Sequence, residues 1–292
     1  MNVRIIECAK WIKKTYVPRL DKFIIFKKKP KLFIWFSVSF LYLWLKLPTL
    51  YGFILTLIFY YALISIALSY KAERFMRCLE DVRHLAMKEE RERILPLWYE
   101  VYEKAKEKSE NIGDEIEIFI VDVMSVNAFS IGTHTIAVTR GLIEAMGDEE
   151  IKGVLAHEFA HIANYDTQLK LILTFASTLY LWIILSAQWL LSVIKNLSDN
   201  NSTHSIVDFI DSIMQIFINV VLVVWTAIIS KGERKQEYLA DTYACQLGYA
   251  EQLKSALKKQ YKIHLSDKKS LIVRLQSNHP RLAYRIGRLE DF

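Results

Sequence analysis

The chain has 292 residues, enough for one large domain with a sizeable core. Hydrophobic residues make up 52% of it, yet 24% are charged, a mix too apolar for an ordinary soluble globule and suited to charged soluble segments alternating with lipid-buried ones. The net charge of +6 admits an acidic surface as partner, but Lys10, Lys13, Lys14, Arg19, Lys22, Lys27, Lys28, Lys29 and Lys31 all precede the first apolar stretch. That placement points to anionic lipid and leaves nucleic acid without support.

Residues 1–31 thus form a basic cytoplasmic segment. Residues 32–45 carry no charge, Lys46-Leu47-Pro48 interrupts them, and residues 49–70 run on uncharged. Together residues 32–70 read as a transmembrane hairpin turning at the Lys-Pro pair. The first leg is short for a hydrocarbon core of ~30 Å, so Lys31 and Lys46 snorkel or the bilayer thins.

Residues 71–170 read as the first part of a catalytic domain. An amphipathic helical stretch, with Leu97, Tyr99, Val101 and Tyr102 on its apolar side, runs to about Lys108. Residues 116–123 and 133–139 are rich in β-branched side chains and predict a small antiparallel sheet. Residues 141–146 and 148–165 read as helices, with Asp148 the N-cap of the second.

Residues 171–194 and 212–230 are again uncharged, and 171–230 forms a second hairpin. Its outer connection has one Lys beside Asp199, Asp208 and Asp211. The positive-inside rule therefore places both termini and the middle section in the cytoplasm. Sequons at Asn196, Asn200 and Asn201 fall in the external loop. Residues 231–292 form the second part of the catalytic domain, helical apart from turns near Gly248, Ser266 and Asn278–Pro280. Cys8, Cys78 and Cys245 are widely spaced with no CxxC pair, which argues against a disulfide framework or thiolate zinc site.

The chemistry centres on His157-Glu158-Phe159-Ala160-His161. Ile151, Val154, Leu155, Phe159 and Ile162 give this stretch a helical period, and residues four apart on a helix share a face. Both imidazoles then reach one metal ion, with Glu158 beside them as general base. Zinc suits nitrogen and oxygen ligands and keeps one position open for water. A third ligand is required, and no third-histidine continuation follows the motif. Glu237 is the best candidate, because the second hairpin returns its helix to the side that His161 left. Asp241, one turn on, is placed to fix the tautomer of a ligand imidazole.

These residues resemble the HtpX family of membrane zinc metalloproteases, relatives of the CAAX prenyl proteases. The resemblance is carried by Asn127-Ala-Phe-Ser-Ile-Gly132, Ile136-Ala-Val-Thr-Arg-Gly-Leu142, Val154-Leu-Ala-His-Glu-Phe-Ala-His161, Arg234-Lys-Gln-Glu-Tyr-Leu-Ala-Asp241 and His279-Pro-Arg-Leu-Ala-Tyr-Arg285. Prenyl proteases have more spans and longer chains, and fit less well. The resemblance implies one zinc ion per chain held by His157, His161 and Glu237, Glu158 as base, polypeptide substrates, and a role in membrane-protein quality control. It also places His279 and Arg285 near the active site. His279 is either an oxyanion donor or a helix-entry residue before Pro280, and Arg285 pairs with Glu237 or Asp241. The strand of residues 136–139, with Ile136 and Val138, is expected to bind the peptide by strand addition, with Asn127 and Phe129 lining the approach. His84, His134, His204 and His264 are read as ordinary residues.

The expected fold class is therefore an α+β integral membrane protein, mainly helical. Four transmembrane helices form two hairpins, and a cytoplasmic zincin-like domain carries a small β-sheet. The sequence leaves open a dedicated processing protease for one membrane or lipidated substrate. It also leaves open a non-catalytic scaffold with structural zinc, against which an acid beside the metal argues. It does not define the oligomeric state.

Overall fold

A computed structural model describes residues 49–197, 201–264 and 282–290. The basic segment, the first apolar leg and His279 lie outside the described residues. Helix α1 (Leu50–Ala67) starts at Thr49, whose Oγ1 accepts from the Gly52 amide at 3.1 Å. Its Leu50, Tyr51, Leu55 and Ile58 face outward. Among the described residues it is the one helix that passes as long and apolar enough to cross a membrane.

The stretch expected to be a single helical run divides in two. Helix α2 (Tyr70–Leu79) ends before Asp81, which has φ 52°. Strand β1 (Val82–His84) follows, then helix α3 (Lys88–Lys108). On α3, Leu97, Val101 and Tyr102 are buried, but Tyr99 faces solvent. Three residues are too few for an alternating pattern to reveal β1.

Strands β2 (Glu117–Val121), β3 (Ala128–Ile131) and β4 (Thr135–Thr139) complete a sheet of order β1-β2-β4-β3. The sheet is mixed, not antiparallel: β2 and β4 run parallel, and the other pairs antiparallel. The cause is β3, hidden within the Asn127–Gly132 stretch. The chain leaving β2 crosses to the far side of β4, runs back as β3, and reverses again through Gly132 at φ +58°, a conformation that suits glycine.

Helix α4 (Arg140–Ala145) leads to α5 (Asp148–Ala163), whose N-cap is Gly147 and not Asp148. The Glu150 carboxylate reaches back to accept from the Gly147 amide at 2.8 Å. Asp148, Glu149 and Glu150 place negative charge on the positive end of the helix dipole. Every residue from Leu155 to Ala163 is buried, packed against α3, α7 and α8. Phe159 meets the stacked pair Trp98–Tyr102, whose centroids are 4.7 Å apart. A Cβ on Gly153 would lie 2.4 Å from the Leu253 backbone nitrogen, so the backbones of α5 and α8 touch there.

Helix α6 (Asp166–Leu197) contains the third apolar segment, and α7 (Asn201–Gln246) the fourth. They pack on one another, and Gln188 Nε2 donates to Asp211 Oδ1 at 3.2 Å between them. At ~1.5 Å per residue both exceed the ~30 Å of a hydrocarbon core. Helix α7 continues unbroken from the apolar segment through Glu237 and Asp241. Gly248, at φ +86°, turns the chain into α8 (Ala250–His264). Helix α9 (Leu282–Glu290) packs against α7 and α8.

Candidate active site

Helix α5 presents His157, Glu158 and His161 within the protein, each less than a tenth exposed. The imidazole centroids are 4.9 Å apart and the rings nearly perpendicular. Helix α7 faces them with Glu237, whose Oε2 lies 3.3 Å from His157 Nε2 and whose Oε1 lies 3.5 Å from His161 Nε2. The two Nε2 atoms thus converge on one carboxylate.

Each imidazole is backed at its other nitrogen. His157 Nδ1 sits 3.0 Å from Asp241 Oδ1, and His161 Nδ1 sits 3.1 Å from Asp166 Oδ2. Asp166 is placed by a break in the chain: α5 ends at Ala163 with Asn164 as its C-cap, Tyr165 takes φ 62°, and α6 begins with the Asp166 side chain folded back. A carboxylate at Nδ1 makes that nitrogen the N–H and leaves the Nε2 lone pair facing inward, the tautomer a metal ligand needs.

Arg285 of α9 closes the back. Its Nη1 lies 3.0 Å from Glu237 Oε2, its Nε donates to Asp241 Oδ2 at 2.9 Å, and its Nη2 to Asp241 Oδ1 at 2.6 Å. Glu158 is held separately, its Oε2 accepting from Ser130 Oγ on β3 at 3.1 Å.

Glu158, Asp166, Glu237 and Asp241 are buried carboxylates, while Arg285 is the buried guanidinium among them. Such an excess of buried negative charge calls for cations. In the protein's own ionisation the imidazoles supply them. Burial and the Arg285 charge push the His157 pKa down, but Asp241 and Glu237 outweigh them and hold it above its ordinary value. Burial likewise opposes charge on His161, and Asp166 with Glu237 raises it to about 10. Burial raises the Asp241 carboxyl, yet His157 and Arg285 leave it net below its usual range. A pocket that stabilises positive charge between two inward-facing Nε2 atoms and a carboxylate fits a divalent metal ion. Distance alone admits Glu158 as well, since ligating atoms of His157, Glu158 and His161 lie within 4.8 Å of one another.

The structure brings His157, Glu158, His161, Glu237, Asp241 and Arg285 together at one place. It does not gather the expected substrate strand. Ile136 and Val138 are fully buried, and β4 is paired on both edges, by β2 and by β3, so it has no edge to offer a peptide. Strand β3 is one of the two edges of the sheet, opposite β1, and it packs beside α5. Asn127 lies just before it and is exposed, and Phe129 lies within it, half-buried; the Asn127 amide and carbonyl are taken by Thr139. Sequence reading missed Asp166 and Ser130. Asp166 follows His161 by five residues, off the helical face, and only the reversal at Tyr165 brings it back. Ser130 had a signal in the alternation of Phe129 and Ile131 around it, on a strand too short to stand out.

Comparison with known proteins matches residues 99–292 to the model of peptidase family M48. The chain is 28% identical over 196 residues to a protease HtpX homolog of Levilactobacillus brevis, covering 59% of this chain and 66% of that one. It is 33% identical over 199 residues to the homolog of Aquifex aeolicus, covering 59% and 64%. The match thus spans a little under two thirds of the length of these relatives. A solved structure of S. mikatae Ste24p aligns over 92% of this chain and 66% of its own, with 22% identity and a TM-score of 0.48.

Proposed function

The chain belongs to peptidase family M48, and from that footing we propose that it is a zinc-dependent endopeptidase of the membrane. Its substrates are membrane or misfolded polypeptides, cut at the cytoplasmic face as part of protein quality control. The observation that carries the reading is the pair of Nε2 atoms facing Glu237, each imidazole backed by its own aspartate.

His157, His161 and Glu237 would hold the zinc ion. When bound, zinc supplies Lewis-acid polarisation of the scissile carbonyl and makes water easier to deprotonate. The residues of the chain do the rest. Glu158, steadied by the Ser130 hydroxyl, takes the proton from the attacking water and passes it to the departing amine. Asp241 and Asp166 hold the imidazoles in the ligating tautomer. Arg285 ties Glu237 to Asp241 and offsets part of their charge. The open edge of β3 binds the substrate backbone by strand addition, beside Glu158. His279 remains a proposed oxyanion donor.

For the membrane part we propose four spans in two hairpins, with both termini cytoplasmic. The outward apolar face of α1 and the lengths of α6 and α7 support this. The reading as a protease is tested by zinc analysis and casein cleavage with purified protein in detergent. Stoichiometric zinc with chelator-sensitive cleavage is expected, and a zinc-loaded protein that cleaves nothing would favour a scaffold.

A further inference from the structure

Away from the catalytic centre, a second buried acid sits where the membrane helix meets the sheet. Glu73 lies in the first turn of α2, directly after α1, and is 1% exposed. Its carboxylate faces the turn between β3 and β4. Oε1 accepts from the Thr133 amide at 2.8 Å and from the Thr133 hydroxyl at 3.2 Å. His134 Nδ1 lies 3.1 Å from the same oxygen, and Oε2 accepts from the His134 amide at 3.2 Å. Two consecutive backbone N–H groups cradle one anion, an arrangement stronger than neutral hydrogen bonds.

The fit is close. A Cβ on Gly132 would lie 2.1 Å from Glu73 Oε1, on a residue already at φ +58°. Arg77, one turn further along α2, donates to Thr135 Oγ1 at 2.7 Å and lies over the Phe119 ring. From the other side Thr167, in the first turn of α6, donates to the Gly132 carbonyl at 2.5 Å. The β3–β4 turn is thus gripped by the helix that follows α1 and by the start of α6. Thr167 adjoins Asp166, which backs His161, and Ser130 of β3, two residues before Gly132, holds Glu158.

We propose that Glu73 is a positioning residue for substrate binding: by fixing the Gly132–His134 turn it sets the edge strand β3 beside the catalytic helix, and so couples the membrane-flanking helix α2 to the peptide site. This rests on the reading of β3 as the strand that receives substrate. Strand addition binds through backbone groups whose spacing must match. Loosening the turn therefore weakens peptide binding first, reaches Glu158 through the Ser130 hydroxyl alone, and leaves the metal ligands in place.

The test uses the full chain in detergent with Glu73→Gln, which keeps the size and one acceptor oxygen but removes the charge. A second variant, Thr167→Val, removes only the hydroxyl on the opposite side. Three readouts are compared with wild type: bound zinc, steady-state cleavage of a quenched fluorescent casein peptide, and amide hydrogen exchange. A group misplaced by about 1 Å can cost on the order of 10²-fold, and a loosened turn less. We expect KM to rise about tenfold in Glu73→Gln and less in Thr167→Val. Zinc should stay near wild type, kcat should fall by less than KM rises because Ser130 also steadies Glu158, and exchange should quicken over residues 128–135 while α5 stays protected. Unchanged KM with unchanged exchange in that hairpin would overturn the proposal. If Glu73→Gln loses zinc and protection throughout, it has unfolded, and Thr167→Val decides by the same criteria. If wild type itself cleaves nothing, the protease reading fails, and the exchange pattern still shows whether Glu73 fixes β3.

Discussion

His161 Nδ1 lies 3.1 Å from Asp166 Oδ2, although the two residues belong to different helices. The left-handed Tyr165 between them turns the chain so that the first side chain of α6 supports the last imidazole of α5. Helix α6 therefore begins as part of the candidate active site.

This pairing predicts the effect of Asp166→Asn. The amide keeps the shape but presents a poorer acceptor to Nδ1–H. Zinc affinity should fall on the order of 10–100-fold, as for other partners of ligating histidines, and Asp241→Asn should do the same through His157. Equilibrium dialysis against zinc chelators of graded strength measures it. An affinity equal to wild type in both variants would separate the aspartates from the metal.

Glu237→Ala should do more. It removes the carboxylate facing both Nε2 atoms and leaves Arg285 with one buried acid fewer. The purified variant should carry little zinc and no activity, while Gln at the same position should retain some folding but not the metal. Full zinc in Glu237→Ala would hand the third position to Glu158, which distance alone permits.

Outside the site, Glu90 predicts a pH effect. It accepts from Arg83 at 2.7 and 3.0 Å, from Arg140 at 3.0 Å, and from the amides of Ala86 and Met87, joining β1 and α4 to the start of α3. The hydrogen bonds from Arg83 lead, burial opposes them, and the carboxyl is held down to about 2. A carboxylate depressed on folding stabilises the fold fully above its unfolded pKa of ~4.3 and loses that contribution as pH falls toward its folded value. Glu90→Gln should thus cost about 1–3 kcal/mol at neutral pH, and the gap from wild type should narrow between about pH 4.5 and pH 2. Thermal melts across that range show it, and a gap independent of pH would remove the ionic explanation.

The proposed four-span topology predicts thiol labelling. Cys78 lies in the last turn of α2 and is exposed, and Cys245 is half-buried near the end of α7. An impermeant maleimide outside intact cells should miss both and should label a cysteine introduced by Ser202→Cys. Labelling of Cys245 from outside would contradict two hairpins with cytoplasmic ends.

Much of the site was legible because its residues obey helical spacing. His157, Glu158 and His161 share one helix, and Glu237 and Asp241 share another one turn apart. Arg285 was foreseen through the family resemblance, and it pairs with both acids. What escaped reading depends on chain reversals with no periodic trace. Tyr165 at φ 62° brings in Asp166, and Gly132 at φ +58° turns β3 back onto β4, which moves the sheet edge from β4 to β3. The buried runs Ile118–Ile120 and Ile136–Val138 announce strands but not their order, since central strands are apolar on both faces. Glu73 escaped because a lone acid after an apolar helix looks like a solvated flank.

The central claim is that this chain cuts peptides with Glu158 as the base at a zinc site that Glu158 does not itself build. The most direct measurement sets Glu158→Gln beside wild type and reads zinc content and casein cleavage on both preparations. Glutamine still accepts from the Ser130 hydroxyl but takes no proton from water. A positioned acid–base group contributes about 10²–10⁴-fold, or roughly 3–5 kcal/mol of barrier. The account predicts near-stoichiometric zinc in both proteins and cleavage lowered by that factor in the variant. Equal cleavage at equal zinc would contradict the role of Glu158, and a variant stripped of zinc would make it a ligand instead.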